Sequence, residues 1–216
     1  DSGSRKKVVF ENRVLETKTV IVATGATFRP LGAKGEKEFT GRGVSYCATC
    51  DGPLFADQNV VVVGGGDTAV KEALFLAKIV KKLYLVHRRD ELRAEKILQD
   101  RLLNMDNVQV LWSTSLEEIK GDGLVSGVVI KDLKTELVTS VDVTGVFVFV
   151  GTVPNTDIVD CRKNEQNFII TNPDLSTSMS GVFAAGDCRD TMLRQVSTAV
   201  GDGALAAISA EKYIEG

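Results

Sequence analysis

A run of four valines followed directly by glycines constrains the fold of this chain more than any other feature. Val60–Val63 is typical of a strand buried on both faces. It leads into the pattern Gly64-x-Gly66-x-x-Ala69, after which apolar residues recur at helical spacing as far as Val80. A buried strand, a tight glycine turn and a helix in this order predict the first unit of a parallel α/β sheet.

The next segments continue the same alternation of strands and helices. Leu83–Val86 predicts a strand, Arg93–Asn104 an amphipathic helix, and Val108–Leu111 another strand. Short β segments at Leu116–Lys120, Val125–Leu133 and Leu137–Val141 then predict an antiparallel meander, with a turn at Gly121-Asp122-Gly123. The fold class is therefore α/β, a Rossmann-like three-layer domain with a β-meander and right-handed crossovers.

Both ends of the chain lie outside this unit. Thr19–Ala23 is a β-branched run that we expect to form a strand buried on both faces. Gly145–Gly151 and Gly181–Ala185 predict two further strands, and the segment from Val196 to Tyr213 predicts a helix rich in Ala and Gly.

The glycine pattern has a specific chemistry in this strand–helix context. The first glycine makes the tight turn, and the second lets the backbone approach a pyrophosphate. The small residue at the third position lets the helix pack on the strand, and the N-terminus of the helix favours an anion. We predict a dinucleotide at Gly64, Gly66, Asp67 and Thr68, and a bare tight turn is the alternative.

The end of the second strand indicates which nucleotide is bound. An NAD site usually has an acidic residue about 20 residues after the glycines, on the ribose 2′-hydroxyl. This chain has His87-Arg88-Arg89-Asp90 there, with Arg93 following. Guanidinium groups bind a 2′-phosphate, which a carboxylate would repel. We therefore predict that Arg88, Arg89 and Arg93 bind NADPH; the alternative is a solvated basic turn. Asp90 is a candidate N-cap of the following helix. His87, the single histidine, is expected to form hydrogen bonds to backbone or phosphate.

A pair of cysteines precedes the glycine loop. Cys47 and Cys50, with two residues between them, can close a small disulfide, and one thiol can then attack a partner disulfide while the other resolves the mixed intermediate. A zinc half-site and a purely structural pair are the alternatives, although the remaining cysteines and the histidine have no paired spacing. Asp51 follows directly and is a candidate to carry a proton to a departing thiolate, or simply begins a turn.

Composition excludes several classes of function. With 216 residues, 44% hydrophobic and 25% charged, the chain has the balance of a soluble globular protein. A net charge of −3 argues against nucleic-acid binding, and no apolar run is long enough to span a membrane. We expect a cytoplasmic protein with no metal site, in which Cys161 and Cys188 are packing residues.

Taken together, these motifs resemble those of the low-molecular-weight, bacterial-type thioredoxin reductases. The resemblance runs from about residue 19 to the end of the chain, in the order of that family. The segments that carry it are Ala23-Thr24-Gly25-Ala26, Cys47-Ala48-Thr49-Cys50-Asp51-Gly52, Gly64-Gly65-Gly66-Asp67-Thr68-Ala69, His87-Arg88-Arg89-Asp90, Gly151–Asn155, Gly186-Asp187 and Arg194-Gln195.

The resemblance implies an electron path from NADPH to thioredoxin. In this family NADPH passes a hydride to FAD, the flavin reduces the Cys-x-x-Cys disulfide, and the dithiol reduces thioredoxin. It implies a homodimer and a flavin site that includes Thr24 and Gly25, Gly186 and Asp187, and the segment Arg194-Gln195-Val196.

The resemblance also implies a domain organisation. Residues 1–40 and 158–216 would be two segments of an FAD-binding domain, and residues 41–157 an inserted NADPH-binding domain that carries the dithiol. The chain has one dinucleotide loop, whereas the family begins with a second, so we expect a chain without the N-terminal part of the FAD domain, about 100 residues, and with an incomplete FAD-binding site. The alternatives are the reductase component of an alkyl hydroperoxide system or another thiol–disulfide flavoenzyme, and an NADPH-binding module without turnover.

Overall fold

The computed structural model describes residues 5–216, and contacts divide these into two compact units. Residues 28–151 form one, here the central unit; residues up to 27 and residues 152–216 form the other, here the split unit. Both boundaries lie earlier in the chain than the predicted 40/41 and 157/158. The assignment of the units to an NADPH domain and an FAD domain stays a prediction.

The chain forms fourteen strands and five α-helices within the described residues. The strands are β1 (Lys6–Phe10), β2 (Arg13–Thr17), β3 (Val20–Val22), β4 (Ala26–Phe28), β5 (Val44–Ser45), β6 (Asn59–Gly64), β7 (Lys82–Val86), β8 (Val108–Leu111), β9 (Thr114–Asp122), β10 (Leu124–Asp132), β11 (Val138–Val141), β12 (Gly145–Phe149), β13 (Thr152–Pro154) and β14 (Val182–Ala184). The helices are α1 (Glu36–Phe39), α2 (Ala48–Asp51), α3 (Asp67–Leu76), α4 (Lys96–Leu103) and α5 (Val196–Glu215).

The central unit is built on a five-stranded sheet in the order β5-β12-β6-β7-β8, in which all neighbours are parallel. The valines of β6 explain its central place. Val60 and Val62 face a core shared with α3 and α4, whereas Val61 and Val63 face a second core shared with the meander β9-β10-β11. Helices, parallel sheet and meander are thus three layers, which confirms the predicted fold class.

The meander differs from the prediction in one detail. The strands continue through the predicted turn, so that Asp122 pairs with Leu124 around Gly123 alone. Gly123 has φ +73°, a conformation that glycine adopts without steric cost. Because Gly123 has no side chain, the turn is tighter than the three-residue turn predicted at Gly121-Asp122-Gly123.

Residues 29–35 belong to the central unit because a buried carboxylate holds them there. Glu36 accepts hydrogen bonds from the backbone N–H groups of Leu31 and Gly32, at 2.9 and 2.8 Å. Lys34 then bonds to β9 through its backbone, at 3.0 Å to the Glu117 carbonyl oxygen. These contacts explain why the boundary between the two units lies before the predicted position 40/41.

Helix α4 begins later than predicted. The pattern indicated a start at Arg93, but the backbone N–H of Arg93 donates to the Gly65 carbonyl oxygen at 2.7 Å. The N–H of Glu95 donates to the Asp67 carboxylate at 2.8 Å. Residues 93–95 are therefore held against the glycine loop, and the helix starts at Lys96.

The split unit contains an antiparallel hairpin of β1 and β2, a parallel pair of β3 and β14, a pair of β4 and β13, and the helix α5. Its two cores combine side chains of β3, β14 and α5 with residues of the connecting segments, among them Ile169 and Leu175. The expectation that the β3 run is buried on both faces is wrong: Val22 is buried, but Ile21 is 40% exposed. Within residues 5–216, β14 is the one strand that pairs with β3, so the other edge of β3 is open, and the face that carries Ile21 is not covered.

The two remaining cysteines are packing residues, as predicted. Cys161 and Cys188 are unpaired and buried in the core of β3 and β14. The Cys188 thiol lies within hydrogen-bond distance of two carbonyl oxygens, of Ala185 at 3.3 Å and of Val22 at 3.4 Å. Burial raises the pKa of the Cys161 thiol, which keeps it protonated and unreactive.

Across residues 5–216, none of the helices combines the length and the apolar character that crossing a membrane would require.

Candidate active site

The glycine loop joins β6 to α3, and its shape requires small residues at two positions. Gly64 has φ +154°, and a methyl group there would lie 2.5 Å from Cβ of Ala69 and 2.7 Å from the Phe149 carbonyl oxygen. Ala69 is itself buried. Strand and helix can therefore approach each other only because both residues are small, which is the packing role the motif implies.

Gly66 occupies the opposite, open side of the loop. Its backbone is extended at the N-terminus of α3, and a methyl group there would meet no atom within 4 Å in the described structure. An open glycine at the start of a ten-residue helix offers backbone N–H groups to an anion. The loop therefore fits the pyrophosphate of a dinucleotide.

The ring of His87 packs against the glycine loop. Its ring is buried, Nε2 donates to the Glu91 carbonyl oxygen at 3.0 Å, and a methyl group on Gly65 would lie 2.2 Å from ring atom Cε1. Burial lowers the pKa of His87, and the neighbouring Arg93 and Arg89 act in the same direction. The histidine is thus a neutral packing partner of the loop. Gly65 is a functional residue that the motif left as a free position.

Three arginines lie in the segment that follows β7, and this segment contacts the glycine loop through Arg93. Arg88, Arg89 and Arg93 are exposed and lie between β7 and α4. The Arg93 backbone is bonded to Gly65, as described above. Within residues 5–216 none of the three guanidinium groups forms an ion pair with the protein. Cationic groups without a protein counter-ion fit the 2′-phosphate of NADPH.

The other loop residues have different surroundings. One oxygen of Asp67 accepts from the Glu95 N–H, so this carboxylate ties α3 to the segment before α4. Thr68 is exposed. The alternative role of Asp90, as the cap of α4, is wrong, because the N-cap of α4 is Glu95. The Asp90 carboxylate lies 3.7 Å from Nζ of Lys134.

Cys47 and Cys50 form a disulfide, with an S–S distance of 2.04 Å and Cα atoms 5.3 Å apart. Cys47 is the N-cap of the short helix α2 and Cys50 lies on that helix, exposed to solvent. A group of three or more His, Cys, Asp or Glu side chains that could hold a metal ion does not occur in the described part of the chain.

Helix α2 packs directly on α3. Ala48 is fully buried in the core that α3 shares with the sheet. A methyl group on Gly52, just after α2, would lie 2.9 Å from Cδ2 of Leu76 on α3. The structure therefore brings the dithiol and the helix of the glycine loop together in one packed unit.

Asp51 ends α2, and its carboxylate is held by a residue that sequence reasoning missed. Ser45 Oγ donates to Oδ2 of Asp51 at 2.6 Å, and the Cys47 N–H donates to Ser45 Oγ at 3.1 Å. Ser45 is at the end of β5 and is 5% exposed. Its place two residues before the first cysteine was the available indication.

Glu72 is a second carboxyl group beside the dithiol helix that was missed. It lies on α3 and is half-buried; burial raises its pKa, and a hydrogen bond from the backbone of Ala48 acts in the opposite direction. Its Oε2 atom is buried and has no hydrogen-bond partner within residues 5–216. Its spacing from Ala69 and Leu76 places it among the apolar positions of the helix, which was the available sequence indication.

The predicted flavin residues meet at one edge of the split unit. Thr24 and Gly25 follow β3, Gly186 and Asp187 follow β14, and these two strands are parallel. Residues at the carboxyl ends of adjacent parallel strands share an edge, where such sheets bind ligands. Within residues 5–216 the Asp187 carboxylate forms no ion pair. The edge therefore fits the polar groups of a dinucleotide.

The segment before α5 has a mixed character. Arg194 lies 4.0 Å above the ring of Phe168, and its buried Nε has no hydrogen-bond partner in the described residues. Gln195 caps α5, with its side chain accepting from the backbone of Thr198, and Val196 is 81% exposed. An orphaned cationic donor beside an exposed apolar residue fits a planar, polar-edged ligand.

Three further residues of the split unit, Asp202, Arg189 and Asn155, were not among the predicted site residues. Asp202 on α5 accepts from Nε and Nη2 of Arg189, at 2.5 and 2.9 Å, and from the Gly186 N–H at 3.0 Å. Asn155 donates from Nδ2 to the Thr24 carbonyl oxygen at 3.0 Å. These contacts fix the two turns that follow β14 and β3.

Comparisons with known proteins agree with this geometry. A family model described as "Pyridine nucleotide-disulphide oxidoreductase" matches residues 1–203. A thioredoxin reductase of Peptoclostridium acidaminophilum is 48% identical over 221 aligned positions, covering 99% of this chain and 70% of the relative.

Solved structures give the same result. The crystal structure of thioredoxin reductase from Streptococcus pyogenes MGAS5005 is 48% identical with a TM-score of 0.93, covering 99% of this chain and 71% of that one. Thioredoxin reductase from Giardia duodenalis is 39% identical with a TM-score of 0.90, covering 96% and 69%. The chain thus spans about 70% of the length of these relatives.

Proposed function

The chain belongs to the pyridine nucleotide-disulphide oxidoreductase family, and from that premise we propose that it is a thioredoxin-disulfide reductase. Electrons pass from NADPH, through FAD, to the Cys47–Cys50 disulfide and on to thioredoxin. The names of the relatives support this substrate, and the two motifs of the central unit support the direction of electron flow.

One observation carries the proposal. The disulfide and the glycine loop lie in the same unit, with α2 packed against α3. A structural disulfide needs no nucleotide site beside it, and a nucleotide-binding domain needs no disulfide. Their common placement is explained when reducing equivalents from the nucleotide reach the sulfur atoms.

The central unit holds NADPH through its backbone and its arginines. The N-terminus of α3 and the open face of Gly66 receive the pyrophosphate, while Arg88, Arg89 and Arg93 receive the 2′-phosphate. Thr24, Gly25, Asp187 and the segment 194–196 hold the flavin in the split unit. When bound, these two groups supply the electron pair.

The dithiol transfers that pair by exchange. A thiolate of the reduced pair attacks the disulfide of thioredoxin, so that one S–S bond forms as another breaks. The second thiol then attacks the mixed disulfide, which restores the Cys47–Cys50 bond and releases reduced thioredoxin. Asp51 takes the proton from the attacking thiol and gives one to the departing thiolate.

The assembly and the location are further parts of the proposal. We propose that the protein is a homodimer, which the family resemblance supports. We also propose a cytoplasmic location, which the two buried, unpaired cysteines support, because the cytoplasm keeps thiols reduced. Sedimentation of the purified chain at several concentrations tests the dimer. A monomer at all concentrations would contradict it.

Turnover tests the main proposal. With FAD, NADPH and oxidised thioredoxin, the chain should consume NADPH in proportion to the thioredoxin thiols produced. C50S should abolish this consumption while NADPH still raises the melting temperature. NADPH binding without turnover at saturating FAD would instead show a nucleotide-binding module.

The nucleotide preference has a separate test. Replacing Arg88 and Arg89 by alanine should weaken NADPH about 10-fold or more, because each charged hydrogen bond to a phosphate is worth about 1.5–3 kcal/mol. NADH affinity should change by less than about 3-fold, since NADH lacks that phosphate. R101A is the matched control, an exposed arginine in the last turn of α4. Equal losses for both nucleotides would contradict the assignment.

A further inference from the structure

Ser45 has a buried side chain at the centre of the dithiol segment. It is the last residue of β5, and β12 holds it in place through the parallel pairing of Ser45 with Phe147. Its Oγ lies 3.1 Å from the Cys47 nitrogen, 3.2 Å from the Cys47 carbonyl oxygen and 2.6 Å from Oδ2 of Asp51. One hydroxyl group thus contacts both the first cysteine and the acidic residue.

The hydroxyl has one hydrogen to donate, and the distances indicate where it goes. The Cys47 N–H donates to Oγ, which then donates to the carboxylate, because 2.6 Å is a normal O–H···O⁻ distance and 3.2 Å to the carbonyl is long. The Asp51 N–H closes the ring by donating to the Cys47 carbonyl oxygen at 3.2 Å. Asp51 is therefore fixed relative to Cys47 by two connections, the Ser45 hydroxyl and the backbone hydrogen bond from Asp51 to Cys47.

We propose that Ser45 is a positioning residue of the thiol–disulfide exchange, acting through Asp51. It holds the carboxylate in the place from which a proton is taken from the attacking thiol and given to the departing thiolate. The inference rests on the proposed function, in which Asp51 carries that proton. Without the hydroxyl, the carboxylate can turn towards solvent and the helix start loses its acceptor at Cys47.

The exchange can be measured on the whole chain without flavin or nucleotide. The protein is reduced with dithiothreitol, desalted and mixed with oxidised thioredoxin, and the rate of exchange is followed in a stopped-flow instrument. S45A should slow exchange about 10-fold, part of the factor of about 10²–10⁴ that a positioned acid or base contributes. D51N should slow it at least as much. S126A, at an exposed serine on β10, is the control and should match the wild type.

The double variant distinguishes positioning from a general structural effect. If Ser45 acts through Asp51, S45A should have no further effect in the D51N background. S45T and S45V keep nearly the same shape and differ in the hydroxyl, so S45T should exchange faster than S45V. If S45A lowers the melting temperature, the comparison of S45T with S45V tests the role of the hydroxyl in its place.

Two results would overturn the inference. Wild-type exchange in S45A, or losses that multiply in the double variant, would exclude positioning through Asp51. Wild-type exchange in D51N would overturn the proton-carrying role of Asp51, and this inference with it. C50S leaves one thiol, which can form the mixed disulfide but cannot resolve it, so no reduced thioredoxin is released in any background and a failure of the dithiol itself is recognised separately.

Discussion

Glu72 lies on α3, the helix of the glycine loop, beside the dithiol helix α2, and its buried Oε2 has no hydrogen-bond partner within residues 5–216. Burial raises the pKa of this carboxyl group above its ordinary value. The folded chain therefore binds a proton here more tightly than the unfolded chain does. The contribution of Glu72 to stability is most favourable at low pH and is lost as pH rises through the raised pKa.

We expect E72Q to remove this pH dependence. The free energy of unfolding of the wild type minus that of E72Q should fall as pH rises above the ordinary range of a glutamate pKa. The effect should stay below about 1 kcal/mol, since solvent screens a half-buried group. Denaturant titrations from pH 4 to 8 measure it, with E211Q on the exposed face of α5 as the control. A constant difference would contradict the effect of burial.

Two adjacent glycines should separate stability from binding. A side chain at Gly65 collides with the buried ring of His87, whereas the same change at Gly66 points into open space. We expect G65A to cost about 1–3 kcal/mol, the range for overpacking, and G66A to change stability by less than about 0.5 kcal/mol. G66A should nevertheless weaken NADPH, because the methyl group occupies the face of the pyrophosphate.

Thermal melts and NADPH titrations of the two variants check this. If G66A binds NADPH as the wild type does, the pyrophosphate does not approach that face. If G65A is as stable as the wild type, His87 can move aside, and the loop is not supported as described.

At the scale of elements, the ion pair of Asp202 and Arg189 joins α5 to the turn after β14. Arg189 lowers the pKa of Asp202, with a smaller contribution in the same direction from the Gly186 N–H. The stabilisation is therefore present above the ordinary aspartate pKa and is lost as pH falls through the lowered value. D202N should cost about 1.5–3 kcal/mol at neutral pH, the range for charged hydrogen bonds.

The measurement is the pH dependence of unfolding of D202N beside the wild type. The two curves should approach each other in acid, where Asp202 is protonated. D190N, at an exposed aspartate in the same turn region, is the matched control. A gap that persists in acid would mean that the asparagine disturbs packing and that the charge contributes little.

Elements with a strong local pattern could be predicted from the sequence. The strand β6 and the helix α3 follow from the valine run and the helical spacing, and both cores of the central unit are filled by those residues. The residues at which helices and strands begin and end were predicted less accurately. The start of α4 is set by backbone bonds of Arg93 and Glu95 to the glycine loop, which no local pattern records.

Burial of β3 and the surroundings of the dithiol show the same limit. Ile21 looks like a core residue, but its burial depends on which elements cover its face of β3, and its own segment does not specify them. Ser45 and Asp51 are six positions apart, and only the turn between β5 and α2 brings their side chains together. Cysteines and glycines were found because their spacing is itself the requirement.

At the scale of the whole molecule, the two units have separate cores. Two buried clusters lie entirely within residues 28–151, and the two others lie entirely within residues 5–27 and 152–216. Hydrophobic burial is the dominant favourable term in folding. Each unit therefore gains its main stabilisation from its own residues.

Residues 28–151 expressed alone should therefore fold. This segment has a size typical of single domains and contains the whole parallel sheet, the meander, the disulfide, the glycine loop and the three arginines. We expect one cooperative thermal transition and an NADPH affinity within about 3-fold of that of the full chain. L76A should abolish or greatly lower the transition, because a fully buried leucine is worth about 2–5 kcal/mol, whereas L54A, at an exposed leucine, should not. A segment that melts without cooperativity, while the full chain melts cooperatively, would mean that contacts outside residues 28–151 are needed to fold it.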